Sequence, residues 1–127
     1  MDTAALKSLA ETLVKYCRED NTMQGLDELY DPQAVSMEAA PGPDGMDPES
    51  KGIDGIKGKH AWWDENFEVH EATVDGPFLH GSDRFAVIFG IDATHKASGQ
   101  RQPMREVAIY TVNDAGKIVR EEFYYTQ

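Results

Sequence analysis

Three titratable side chains, Glu38, His70 and Glu106, fall where proton chemistry could be done. Glu106 lies in Met104 to Thr111, where Met104, Glu106, Ala108 and Tyr110 alternate with Arg105, Val107, Ile109 and Thr111. Strand alternation therefore puts its carboxyl on a face shared with apolar side chains. His70 belongs to Glu68 to Val74, where the same period sets it beside Ala72 and Val74. An imidazole so placed takes or gives a proton near neutral pH. Glu38 is the last polar group of Ala34 to Ala39, in which Val35 and Met37 alternate with Ser36 and Glu38. A carboxyl or imidazole among apolar neighbours is either paired within the structure or available for chemistry. The competing reading pairs Glu106 or Glu121 with Arg105, Arg120 or His60, holds His70 by one backbone or glutamate partner, and leaves Glu38 at a wet strand end. Burial would raise a carboxyl pKa and a cation would lower it, and sequence does not choose between them.

Other chemistries find little support. The four histidines show no HExxH or HxH spacing, so no metal and no cofactor is expected. The single Cys17 forms no internal disulfide and reads as a small core residue. There is no GxSxG, no glycine-rich phosphate loop and no Cys-His pairing in register. A formal charge of −11 without any Lys/Arg-rich tract argues against nucleic acid and membrane surfaces as partners. No apolar run approaches the ~20 residues of a span, and Met1-Asp2-Thr3 opens no signal segment, so a cytoplasmic protein is expected.

At 127 residues the chain suits one domain, residues 1 to 127. Leu6, Leu9, Leu13, Tyr16 and Cys17 recur at helical spacing and predict a helix over residues 3 to 20. A shorter helix carries Leu26, Leu29 and Tyr30 and stops at Asp31-Pro32. Pro41 to Pro48 reads as a loop. Ile53 to Phe67 predicts a third helix, with Ile56, His60, Trp63 and Phe67 on one stripe and Trp62 about 100° away. From Glu68 the period is two. Gly76-Pro77 interrupts the first strand, and Arg84 to Thr94 follows, with Phe85, Val87, Phe89 and Ile91 on its greasier, inward face. Met104 to Thr126 closes the chain as a hairpin turning at Asn113-Asp114-Ala115-Gly116, with Glu121 and Glu122 in its return strand. Both faces of these strands carry apolar residues. Ala86, Ile88, Ile109 and Thr111 on the second face predict a homodimer through the outer side of the sheet.

This order of elements resembles the SnoaL-like branch of the nuclear transport factor 2-like superfamily. The resemblance rests on residues 25–35 (GLDELYDPQAV), 51–56 (KGIDGI) and 116–123 (GKIVREEF), and it covers nearly the whole chain. It implies an α+β cone-shaped roll: three helices from the N-terminal half packed on a strongly bent antiparallel sheet that encloses an apolar cavity. Relatives include ketosteroid isomerase. Laid on this chain, that pattern places the isomerase base at Glu38 and its second carboxyl at Ala108, a departure for which Glu106 could substitute from the same face. The isomerase tyrosine falls at Val14, with Tyr16 close by. The expected ligand is a small apolar molecule, held by Tyr16, His60, Trp62, Trp63, Phe67, Phe89, Ile91, Glu121 and Tyr125 around catalytic Glu38, His70 and Glu106. The implied activity is acid/base isomerisation or cyclisation of a carbonyl compound. The alternative is a non-catalytic binding or dimerisation module.

Overall fold

The computed structural model describes residues 2–42 and 45–126; Pro43 and Asp44 of the expected loop, with Met1 and Gln127, lie outside the described residues. Helix α1 (Thr3–Arg18) starts where Asp2 caps it, its carboxylate accepting from the Ala5 amide at 2.7 Å. Its stripe of Leu6, Leu9, Leu13 and Val14 is buried. Helix α2 (Thr22–Leu29) runs directly into β1 (Tyr30–Met37). This strand starts four residues before the alternation predicts. Its pairing is irregular between Tyr30 and Val35, and Pro32, which has no amide hydrogen, is accommodated there. Strand β2 (Glu49–Lys51), too short to show a period, pairs with Val35–Met37 and leads into α3 (Gly52–Asn66).

Four strands complete the sheet: β3 (Phe67–His80), β4 (Arg84–His95), β5 (Arg101–Val112) and β6 (Ile118–Tyr124). The spatial order is β2-β1-β6-β5-β4-β3. Three reversals of the meander bring β6 alongside β1 in the same direction, so the sheet is mixed and not wholly antiparallel as expected. It remains open. Helix α1 packs chiefly on β3 and α3 on β1, which makes the α+β cone. The core gathers Leu6, Leu26, Ile56, Phe85, Val87 and Ile118, each almost fully buried. Among the described residues no helix is long and apolar enough to cross a membrane.

Two irregularities in β3 overturn expectations. Val69 pairs with Ala93 and Glu71 with Asp92, so His70 is an extra residue, a β-bulge. The bulge resets the alternation: Val69, Ala72 and Val74 line the inner side, whereas His70 is exposed, its Nε2 2.7 Å from Thr94 Oγ1. The strand also does not end at Gly76-Pro77. Asp75 pairs with Ile88 and Phe78 with Ala86, and a second extra residue carries β3 on to His80. Gly76 there has φ +125°, a conformation that favours glycine.

Candidate functional site

A cavity of about 590 Å³ lies between the inner face of the sheet and the helices. Exposed Arg18, Asp20, Asp64, Ala72 and Thr73 mark its mouth. Arg18 is anchored there, donating through Nε and Nη2 to the Val74 carbonyl at 3.3 and 2.9 Å. The walls are aromatic. Trp63 stacks on Phe67 with ring centroids 4.1 Å apart, and Phe89, Tyr110 and Phe123 come from successive strands. Adjacent positions on α3 divide the two tryptophans: Trp63 lines the cavity, while Trp62 lies outside the lining and meets Phe67 edge-on at 6.0 Å.

The strand register places the polar groups. Glu106 on β5 pairs with Phe89, and alternation brings Ala108 and Tyr110 onto its face; Tyr110 pairs with Glu121 of β6 and Ala108 with Phe123. Glu106 lines the cavity, and its carboxyl is pushed up to about 7. Burial is the main cause; the charges of Glu38 and Glu121 add to it and Lys59 opposes it. Glu38 itself is outside the lining. Its amide donates to Pro48 O at 2.8 Å and its carboxylate accepts from Lys59 Nζ at 3.1 Å. The same Nζ donates to buried Ser36 Oγ at 2.6 Å and lies 4.5 Å from the centroid of the Phe123 ring. Glu38 and Glu106 are thus brought near one another, with Lys59 close to both.

Tyr16 lines the cavity, but its hydroxyl is hydrogen-bonded to Glu28, which raises its pKa. His60 lines it too. Burial holds its imidazole below the usual pKa, so the neutral form dominates, although Glu121 pulls the other way. Tyr125 stands outside the lining, and burial and the Glu38 and Glu106 charges push its hydroxyl up. Phe89, Ile91 and Phe67 also line the cavity. His70 does not join them; the bulge turns it to the outer side, and Glu38 and Glu106 meet without it.

Glu121 is only 2% exposed. Its Oε2 accepts a hydrogen bond from the buried Tyr30 hydroxyl, and its Oε1 has no partner among the described residues. Burial and the Glu121 charge push both Tyr30 and Tyr110 well above the ordinary tyrosine range. Lys59, Tyr30 and Tyr110 escaped the sequence reading. Signals for two of them were there: Ile56, Lys59 and Trp63 follow helical spacing, and Tyr110 alternates with Glu106. Nothing local signalled that Tyr30, read as the apolar end of a helix, would reach Glu121.

A SnoaL-like domain profile matches residues 5–125. The chain belongs to the SnoaL-like family. A protein from Mesorhizobium loti, provisionally described as a SnoaL-like polyketide cyclase, is 36% identical, with a TM-score of 0.86 over 94% of this chain and 98% of that one. Two more distant structures show the same fold. One, from Bacillus subtilis and provisionally described as an isomerase, is 20% identical (TM-score 0.72, covering 96% of this chain and 88% of that one). The other, TerC co-crystallised with polyporic acid, is 19% identical (TM-score 0.70, covering 96% and 92%). No curated protein matches the sequence.

Proposed function

We propose that this SnoaL-like protein binds an apolar carbonyl compound in the cavity and moves a proton next to the carbonyl, with Glu106 as the base. The observation that carries this reading is a cavity-lining carboxyl whose pKa is pushed up to about 7. Such a group exchanges protons at neutral pH, which an ordinary glutamate near 4.5 does poorly. Glu106 takes the proton from the carbon beside the carbonyl, the C–H electron pair delocalises into an enolate, and the same carboxyl returns the proton to the rearranged carbon. His60, kept neutral by burial, is the candidate donor toward the carbonyl oxygen. The Glu38–Lys59 pair sets the charge around Glu106, so Glu38 acts as a positioning residue. Aromatic walls supply the apolar contact.

The test is solvent-deuterium incorporation into a panel of polyketide-like and steroid-like enones. Exchange that disappears in Glu106→Gln while binding persists supports the reading. Exchange unchanged by that substitution sinks it. The second reading, a non-catalytic binding module, is favoured by the ion pair that satisfies Glu38 internally; it expects ligand binding with no exchange at all.

A homodimer across the outer sheet face belongs to the same proposal. Phe78 and Tyr124 are 52% and 53% exposed on that side, beside half-buried Ile88 and Ile109.

A further inference from the structure

We infer that the otherwise apolar ligand carries a protonated amine, held by Glu121 at a subsite separate from the carbon on which Glu106 acts. This inference rests on the proposed function for the Glu106 end and adds a second subsite with its own chemistry. Glu121 lines the cavity, is 2% exposed, and keeps Oε1 without a hydrogen-bond partner among the described residues. A desolvated carboxylate oxygen with nothing to accept from is costly, and one partner in the fold, the Tyr30 hydroxyl, already serves the other oxygen.

Among the described residues, the basic groups at the cavity do not fill this place. Lys59 is committed to Ser36 and Glu38, Arg18 to the Val74 carbonyl at the mouth, and His60 is held neutral by burial. The lining meanwhile holds two carboxyls, Glu106 and Glu121, with Asp20 and Asp64 at the entrance. The rings of Tyr30, Tyr110 and Phe123 belong to the same lining as Glu121, with one face of Phe123 already taken by Lys59 and one of Tyr110 by Phe85. Carboxylate plus aromatic rings is the chemistry that recognises an ammonium ion, through one charge-assisted hydrogen bond and contact with ring faces. A negative chain also draws a cation toward the mouth. Strand geometry sets the spacing. Glu121 pairs with Tyr110, four residues along β5 from Glu106, so the two backbones stand roughly 14 Å apart. The side chains close part of that span, and a short aryl-alkyl skeleton bridges the rest.

The experiment compares phenylalkylammonium ions, from benzylamine to 4-phenylbutylamine, with the corresponding neutral alcohols, by calorimetry and by tryptophan fluorescence at pH 7. At least one ammonium ion is expected to bind about tenfold more tightly than its alcohol. Glu121→Gln is expected to erase that preference while leaving alcohol affinity within about twofold. If no ammonium ion outperforms its alcohol on the wild-type protein, the inference is overturned, whatever the variant does. A preference that survives in folded Glu121→Gln overturns it too. Glu106→Gln is expected to keep the preference while losing deuterium exchange. Loss of exchange chemistry and loss of the amine subsite are therefore read separately.

Discussion

Glu106 and Glu38 stand near each other and are expected to answer substitution differently. Glu106→Gln is expected to lower the rate of proton transfer by about a hundredfold or more, with ligand affinity within about twofold, because it removes the base and little volume. Deuterium exchange against pH checks the same group. The base works ionised, so the rate rises as pH increases through about 7 and levels off above it. The stability effect has the opposite sign. A carboxyl pushed up to about 7 from 4.5 binds its proton more tightly in the folded state, so its contribution is present below about 4.5 and is lost as pH rises through 7. That is on the order of 3 kcal/mol, or roughly 10 °C of midpoint. Wild-type thermal unfolding should show this decline between pH 4.5 and 7 relative to Glu106→Gln, whose amide does not titrate there. Of these features, sequence alternation could place Glu106 on an apolar face. The size and cause of its shift depend first on burial and then on Glu38, Lys59 and Glu121, which come from other elements.

Among the elements, β3 departs most from the two-residue period. The bulge at His70 turns the imidazole outward, and His70→Ala is expected to cost under about 1 kcal/mol and to leave proton transfer unchanged. Thermal unfolding and the exchange assay read both parts. The β3–β4 pairing makes a second demand at Gly90. A Cβ there would sit 2.5 Å from Thr73 Oγ1, and the β-branched Thr73 has few rotamers with which to withdraw. Gly90→Ala is expected to destabilise by about 1–3 kcal/mol, and the loss should shrink in the Thr73→Ala background. Denaturant titration of the four proteins measures that coupling. Helix spacing foretold α1 and α3 nearly to the residue, since an apolar stripe at helical spacing is a local signal. The short β2 and the continuation of β3 beyond Pro77 are imposed by partner strands, which no local pattern records.

On the scale of the molecule, an open sheet with helices on its inner side leaves an outer face on which Phe78, Ile88, Ile109 and Tyr124 are partly or largely exposed. Sedimentation is expected to show a dimer at micromolar concentration, and Ile109→Lys to yield a monomer by placing a charge in that face. A wild-type monomer would remove the dimer from the proposal. The sequence alone determined the inventory: helical stripes, a period of two in β4 and β5, a turn at Asn113 to Gly116, and an acidic chain with no basic tract. These follow from the repeat of the backbone and from composition, which are readable within a few residues. Only the tertiary structure decided which polar groups share the hollow. Tyr30 and Glu121 are 91 positions apart and meet through the parallel β1–β6 pairing, while a single inserted residue removed His70 from the inner face. Phase across a bulge and charge through space are properties of packed neighbours, and a one-dimensional pattern carries neither.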